Sequence, residues 1–272
     1  MNLDELKRSL AITPVSEWRA YEAIGSTNDE ALVWLEEGAP DFSLVIADQQ
    51  TKGRGRFQRR WITQPGASLA FTVLFRLNQA EQRQPISLYA PLAGLAVRQA
   101  LEDQLGLQAQ IKWPNDILLA RKKTCGILVE GSWLGEHLQG IVVGIGINIT
   151  AASLPEGAEV GQFPATWLEA HTPSAVDRFD LLAGVLNALR DWRQDFATPQ
   201  FFATWQAHLA FMGEEVRIEQ MEKEPIIGKA TGIDSQGNLL LLLSDGQEIA
   251  VEVGDVHLRT TAEHTPEGRN HA

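Results

Sequence analysis

Cysteine is almost absent from this 272-residue chain, because Cys125 is the only one. An internal disulfide is therefore excluded, and the cysteine content gives no sign of an oxidising compartment. The chain has no run of 18 apolar residues and no basic segment followed by an apolar stretch at its start. We therefore expect no membrane span and no secretory signal, and we expect a cytoplasmic protein. The six histidines lack the spacing of metal ligands, so no structural zinc is expected.

Positive charge is also scarce over the chain as a whole. Lys and Arg number 23 against 35 Asp and Glu, which gives a formal net charge of -12. A general nucleic-acid or membrane-surface binder needs a positive field over a whole face, so both classes are disfavoured. The 44% of hydrophobic residues suffices for a substantial core, and the length fits one large domain with a smaller one.

One stretch departs from this acidic background. Five of the nine residues from Lys52 to Arg60 are basic, and Gly53 and Gly55 are interleaved with the arginines. Glycine lets a backbone approach a ligand closely, and guanidinium groups suit carboxylate and phosphate oxygens. The stretch predicts a local anion site between two core strands, although a solvated basic loop is the alternative reading.

A second stretch, Lys112-Trp113-Pro114-Asn115-Asp116, places one ammonium group at the end of a strand beside a rigid turn. A hairpin is expected to follow it. The later Gly144-Ile145-Gly146 is not a dinucleotide fingerprint, because no third glycine and no helix start follow. Near the start of the chain, residues 26–28 (Ser-Thr-Asn) predict a helix start and also offer neutral donors and acceptors.

The coarse pattern predicts an α+β fold, with a mixed, mostly antiparallel sheet and packed helices. Expected helices include 86–105, about 177–195 and 201–211, while short strands separated by turns follow Gly213. We expect a catalytic domain over 1–211, an SH3-like β-barrel over 212–260, and a disordered tail over 261–272.

Five motifs in this order resemble those of bacterial biotin protein ligases, over about residues 15 to 260. They are Ser26-Thr27-Asn28, Gln50 to Trp61, Lys112 to Asp116, Cys125 to Glu130, and Gly144 to Asn148. The resemblance implies a class II synthetase-like biotin/lipoate ligase domain. It also implies a two-step reaction with ATP, biotin and Mg²⁺, in which biotinyl-5′-AMP forms and biotin passes to a lysine of a biotin carboxyl carrier protein. No protein nucleophile is needed for this chemistry, since arginine and lysine can neutralise the reacting anions.

The resemblance also implies a role for individual residues. Lys112, expected to bridge the biotin carboxylate and the α-phosphate, is the first candidate for a rate-critical group, with Arg54 and Arg56 beside it. The biotin-binding candidates are Ser26, Thr27, Asn28, Gln50, Gly53, Arg54, Arg56, Lys112 and Gly126. The ATP- and adenylate-binding candidates are Arg54, Arg56, Arg59, Trp61, Lys112 and Asn148. Asp116 is a candidate Mg²⁺ ligand, with a salt bridge or a helix cap as the alternative.

One departure from the family pattern lies in the basic loop. The family usually has a third glycine where this chain has Gln58. If that position requires φ > 0, a glutamine there would be strained. We expect a shifted loop with retained activity, because Arg54, Arg56, Arg59 and Trp61 keep their spacing.

The expected partner is the carrier subunit of acetyl-CoA carboxylase, and the sequence leaves open whether the protein is a monomer or a homodimer. No DNA binding is expected, because the catalytic pattern begins within about 25 residues of Met1. Three other functions remain as alternatives. A lipoate ligase would share the fold, an RNA-binding module would use the Arg-Gly segment, and a ligase-like protein would only sequester biotin.

Overall fold

A computed structural model describes residues 1–154, 164–220, 223–252 and 254–258. The chain divides into two compact units, of which the first comprises Met1–Ala210 with Ser235–Gly237 and the second begins at Phe211. The predicted boundary between residues 211 and 212 falls next to this division. The expected tail, 261–272, lies outside the described residues.

The first unit holds five α-helices and seven strands among its described residues. The helices are α1 (Leu3–Leu10), α2 (Thr27–Glu36), α3 (Tyr89–Leu105), α4 (Arg178–Gln194) and α5 (Pro199–Ala207). The strands are β1 (Trp18–Ile24), β2 (Ser43–Gln50), β3 (Ser68–Phe75), β4 (Gln110–Lys112), β5 (Asp116–Leu119), β6 (Lys122–Leu134) and β7 (His137–Asn148).

The seven strands form one sheet in the order β1-β2-β3-β7-β6-β5-β4. Only β1 and β2 run parallel, and every other neighbouring pair is antiparallel. Helix α2 packs on one face, where Ala31 and Leu35 meet Val45, Leu74 and Val142 in a buried cluster. Helices α3 and α4 pack together, and both contact strands of the sheet. The site described below lies on the α2 face, beyond the N-terminal end of that helix.

Local sequence accounts for where these helices begin and end. Asn2, Ser26, Asp177 and Thr198 each cap a helix start with a side-chain oxygen that accepts backbone N–H groups. Helix α3 ends at Gly106, whose φ of 66° is left-handed and suits glycine.

The predicted helix over 201–211 is wrong at its end, because α5 stops at Ala207. The residues after it pair with the edge strand β4 instead. Ile111 donates its N–H to the carbonyl of His208, and Ala210 donates to the carbonyl of Ile111. This pairing satisfies backbone groups of an edge strand that would otherwise be exposed.

The second unit holds strands β8 (Glu215–Glu219), β9 (Ile226–Ile233), β10 (Leu239–Leu242), β11 (Glu248–Val251) and β12 (Asp255–Leu258). They form an antiparallel sheet in the order β11-β10-β9-β8-β12. The sequence analysis did not predict β12, although its short apolar alternation at Val256 and Leu258 is typical of a strand. The predicted α+β class, with a mixed sheet and a small SH3-like β domain, is confirmed. Within the described residues, no helix is long and apolar enough to cross a membrane.

Candidate active site

The floor of the site is a glycine-lined part of the sheet, formed by β6 and β7. Gly126 lies directly opposite Gly146, and Gly144 lies opposite Thr72 of β3. A Cβ atom added at Gly146 would lie 2.3 Å from the Trp61 ring, and one at Gly144 would lie 2.2 Å from Asn28 Oδ1. Because Gly144 and Gly146 have no Cβ, the side chains of Asn28 and Trp61 can pack directly on the sheet. A larger residue at either position would clash with them.

Polar side chains at the start of α2 form a buried hydrogen-bonded group beside this floor. The amide oxygen of Gln50 accepts from Thr27 N at 2.8 Å and from Thr27 Oγ1 at 3.1 Å. The hydroxyl of Thr72 lies 2.8 Å from Thr27 Oγ1 and 2.7 Å from Asn28 Oδ1. Ser26 caps the helix and is buried with Thr27 and Asn28. The structure thus brings together the predicted candidates Ser26, Thr27, Asn28 and Gln50.

Asn28 also reaches β6 through its amide nitrogen, which donates to Glu130 Oε2 at 2.7 Å. Glu130 in turn accepts from Arg54, whose Nη2 lies 2.9 Å from each carboxylate oxygen. The other terminal nitrogen of Arg54 lies 2.6 Å from Asp29 Oδ1. We call Arg54, Asp29 and Glu130 the arginine cluster. Partial burial would lower the pKa of Arg54, but Glu130 and Asp29 together raise it above its usual range.

The backbone of the basic loop closes on itself in a small antiparallel arrangement. Arg54 pairs with Arg60, and Gly55 donates its N–H to the carbonyl of Arg59 at 2.7 Å. A Cβ atom at Gly53 would lie 2.3 Å from the carbonyl oxygen of Trp61, so this position requires glycine. The left-handed residue of the loop is Phe57, with φ 53°, while Gln58 ends the short 3₁₀ turn that begins at Arg56.

Arg56 extends from the loop toward the second motif. Its Nη1 lies 3.3 Å from Asn115 Oδ1, and its guanidinium carbon lies 4.8 Å from the centre of the Phe57 ring. Asn115 is fixed by its own bond to the Ile127 carbonyl, at 2.6 Å. Arg59 has an exposed side chain. The two sequence motifs therefore meet through Arg56 and Asn115.

Two lysines flank one carboxylate at the edge of the floor, and we call Lys112, Asp116 and Lys123 the lysine cluster. Asp116 Oδ2 lies 3.4 Å from Lys112 Nζ, and its Oδ1 lies 2.6 Å from Lys123 Nζ. Burial would raise the pKa of Asp116, but the two ammonium groups, Lys123 before Lys112, hold it below its usual range. The side chain of Lys112 is 4% exposed and that of Lys123 is 29% exposed. Lys123 therefore has the more exposed side chain of the two lysines.

Trp61 covers the floor beside Lys123. The Lys123 Nζ lies 5.8 Å from the centre of the Trp61 ring, and it lies 3.1 Å from where a Cβ atom of Gly126 would be. Among the described residues, none accepts a hydrogen bond from the buried indole N–H of Trp61. The ring thus combines an apolar face with a donor, which suits a flat polar ligand group.

Asn148 lies at the end of β7 and holds a neighbouring segment in place. Its amide nitrogen donates to the Thr166 carbonyl at 3.0 Å, and the Thr166 N–H donates to the Lys123 carbonyl at 2.8 Å. The His171 ring lies 2.8 Å from the Thr166 hydroxyl. Asn148 therefore supports the backbone that carries Lys123.

Two residues of this site, Lys123 and Glu130, were not predicted as functional groups. The family resemblance implies only that Lys123 to Gly126 lie on a strand lining the pocket, whereas the structure brings Lys123 Nζ to 2.6 Å from Asp116 Oδ1. Glu130 was noted only as the end of a motif. The alternation of β6 was the available signal, because Gly126, Leu128 and Glu130 share one face of a strand.

Asp116 does not fit a resident Mg²⁺ ion in this arrangement. Two ammonium groups lie against its carboxylate and would repel a divalent cation. Among the residues described, no group of three or more histidine, cysteine, aspartate or glutamate side chains has a metal-binding arrangement either. The contacts of Asp116 with Lys112 and Lys123 agree with the alternative prediction, a salt bridge.

The sequence matches two known protein families and several known proteins. Residues 21–148 match the biotin/lipoate A/B protein ligase family, and residues 211–259 match the biotin protein ligase C-terminal domain. The biotin–[acetyl-CoA-carboxylase] ligase of Mycobacterium tuberculosis is 33% identical, with 94% of this chain and 96% of that protein covered. The bifunctional ligase/repressor BirA of Bacillus subtilis is also 33% identical, with 83% of this chain and 69% of the relative covered.

A solved structure is similar in both sequence and fold. The biotin protein ligase from Aquifex aeolicus, in complex with biotin and ATP, superposes with a TM-score of 0.75 at 31% identity. The match covers 90% of this chain and 99% of that one.

Proposed function

This chain belongs to the biotin/lipoate A/B protein ligase family, and from that membership we propose how its site works as a biotin protein ligase. Such an enzyme activates biotin with ATP and transfers the biotinyl group to a carrier protein. In the first step a carboxylate oxygen of biotin attacks the α-phosphorus of ATP, and pyrophosphate leaves with the electron pair of the broken P–O bond. In the second step a lysine amine attacks the acyl carbon of biotinyl-5′-AMP, and AMP leaves.

The observation that carries this proposal is the lysine cluster at the edge of a glycine-lined floor. The reaction brings together two anions, so a positive group must lie where the carboxylate and the phosphate meet. We give this role to Lys123, because its ammonium group lies beside Trp61 and Gly126 and is 2.6 Å from Asp116 Oδ1. No nucleophilic side chain is required, because positioning and charge neutralisation suffice.

We assign the α-phosphate contact first to Lys123 and keep Lys112 as its buried neighbour. The sequence analysis gave the rate-critical role to Lys112, whose side chain is 4% exposed. Lys112 can hold Asp116 in its ionised state and thereby keep Lys123 in place. Arg56 and Arg59 supply further positive charge from the loop, and Arg56 Nη1 donates to Asn115 Oδ1 at 3.3 Å.

The neutral groups at the start of α2 suit the uncharged end of biotin. Thr27 and Gln50 lie together, and the Gln50 oxygen already accepts from Thr27. The amide nitrogen of Gln50 therefore supplies the donor, while the Ser26 hydroxyl can donate or accept. Gly53 lets the basic loop pack closely against the backbone of Trp61. Trp61 is assigned to the adenylate, with Asn148 acting through the backbone at Thr166.

Mg²⁺ is proposed to enter as the complex with ATP and not through Asp116. Mg²⁺ commonly binds through substrate phosphates with one or two carboxylates, and the Asp116 carboxylate already meets two lysines. The carrier subunit of acetyl-CoA carboxylase is the proposed acceptor, in keeping with the name of the Mycobacterium tuberculosis relative.

The test is biotin-dependent exchange of pyrophosphate into ATP, with lipoate as the parallel acid. We expect exchange with biotin, little with lipoate, and subsequent biotinylation of a purified carrier domain. Equal exchange with both acids would contradict biotin specificity. Biotin binding without any exchange would replace the ligase by a sequestering protein.

A further inference from the structure

We propose that Glu130 is a positioning residue that fastens the basic loop over the biotin pocket by holding Arg54. This inference rests on the proposed function only for what the pocket binds. The fastening itself is a property of the free protein. It assigns to Arg54 a different task from the contact with carboxylate and phosphate that the sequence resemblance implies.

The guanidinium group of Arg54 already contacts two carboxylates in the free protein. Its two terminal nitrogens contact carboxylates on two different elements, Asp29 of α2 and Glu130 of β6. Both oxygens of Glu130 lie 2.9 Å from the same nitrogen, Nη2. The guanidinium fork therefore ties the loop to a helix and to a strand at once.

Charge counting leads to the same conclusion. The three groups of the arginine cluster together carry one negative charge, so the cluster does not attract an anionic ligand. To bind a phosphate, Arg54 would have to leave two carboxylates. The lysine cluster carries one positive charge and needs no such rearrangement.

Glu130 also connects the loop to the polar group of the pocket. Oε2 of Glu130, one of the two oxygens that meet Arg54, also accepts from Asn28 at 2.7 Å. The amide oxygen of Asn28 accepts from the Thr72 hydroxyl and lies over Gly144. Loss of the Glu130 charge thus releases the loop while a neutral side chain can still accept from Asn28.

The variants that test this are Glu130→Gln, Arg54→Gln and the double variant. Glutamine has nearly the shape of glutamate and keeps an acceptor for Asn28, so Glu130→Gln removes mainly the ion pair. The matched control is Glu37→Gln, which removes a half-exposed carboxylate 3.0 Å from Arg19, at the opposite end of α2.

The first readout is trypsin cleavage of the free protein after Arg56, Arg59 and Arg60, which requires no activity. Ion pairs between partly exposed groups contribute only modest stabilisation, so we expect a moderate change in cleavage rate. Cleavage should be about fivefold faster in Glu130→Gln and Arg54→Gln, and it should be unchanged in Glu37→Gln. Cleavage of Glu130→Gln at the wild-type rate would overturn the proposal.

The second readout separates biotin KM from kcat in the exchange reaction. We expect each single variant to raise the biotin KM about fivefold with kcat nearly unchanged, and the double variant to match the singles. A large loss of kcat in Arg54→Gln that Glu130→Gln does not share would assign Arg54 to the reacting phosphate and overturn the proposal. A wild-type protein without exchange would contradict the proposed ligase, while the cleavage comparison would still decide on Glu130.

Discussion

The arginine cluster and the lysine cluster lie in one site and have opposite compositions. In the arginine cluster one guanidinium meets two carboxylates, and in the lysine cluster one carboxylate meets two ammonium groups. The arginine cluster is half-exposed, with Arg54 at 41%, whereas Asp116 is 10% exposed. Charge in a buried place interacts more strongly than charge near water. From this difference we propose that the lysines serve the chemistry and that the arginine holds the loop in place.

The largest expected effect comes from the exposed member of the lysine cluster. Lys123→Ala should slow biotin-dependent pyrophosphate exchange by about 10² to 10³, the range for losing one preorganised donor to a developing anion. The matched control is Lys122→Ala, since Lys122 is adjacent and exposed. We expect the control to stay near wild type. Equal losses in both variants would mean that general positive charge matters more than the position of Lys123.

Removal of the carboxylate tests the burial of the lysine cluster. Asp116→Asn removes the carboxylate that both ammonium groups contact and should lower the free energy of unfolding by about 3 kcal/mol at pH 7. The lowered pKa of Asp116 means that its contribution is complete above the unfolded value, about 3.9. It is lost as the pH falls through the still lower folded pKa. Urea unfolding of the wild type and Asp116→Asn from pH 7 down to about 2 measures this.

Asp29→Asn provides the contrast in the arginine cluster. Because Asp29 is 50% exposed, the same substitution should cost no more than about 1 kcal/mol at pH 7. If Asp29→Asn cost as much as Asp116→Asn, burial would not distinguish the two clusters.

An effect between those of Asp116→Asn and Asp29→Asn is expected from the floor that lies between the clusters. A Cβ atom at Gly144 would lie 2.2 Å from Asn28 Oδ1, and Asn28 is held by Thr72 and Glu130 and cannot easily move. Gly144→Ala should lower the free energy of unfolding by about 1–3 kcal/mol and weaken biotin binding. Gly94→Ala, in α3, has its nearest neighbours at 3.5 Å and should be neutral or stabilising. Thermal unfolding with and without biotin compares them.

The smallest effect concerns the basic loop itself. Because the left-handed residue is Phe57, Gln58→Gly relieves no strain and should lower the free energy of unfolding by about 0.5 kcal/mol through added chain freedom. Phe57→Gly should be the more stable of the two variants, because it relieves the positive φ. A stabilising Gln58→Gly would place the left-handed position at residue 58 instead.

The sequence predicted most of the fold because its local signals agree with one another. Helix α2 begins directly after Ser26 and helix α4 directly after Asp177, where the sequence predicted helix starts. The end of α5 was mispredicted because residues 208–210 pair with β4, a contact that depends on a strand about 100 residues earlier.

The candidate site was predicted as a set of motifs and not as a set of contacts. Side chains from Asn28 and Gln50 were expected together, and the structure brings them together through Thr27 and Thr72. The partnership of Arg54 with Glu130 spans 76 residues and depends on how β6 faces α2, which local spacing does not specify. The different exposure of Lys112 and Lys123 likewise depends on the hairpin register.

The central claim is that the lysine cluster serves the reaction and the arginine cluster serves the loop. The most direct test is the single-turnover rate of biotinyl-5′-AMP formation at saturating biotin and ATP, measured for Lys123→Ala and Arg54→Gln side by side. The account predicts a loss of at least about 100-fold for Lys123→Ala and a rate within about threefold of wild type for Arg54→Gln. A fast Lys123→Ala with a slow Arg54→Gln would contradict it.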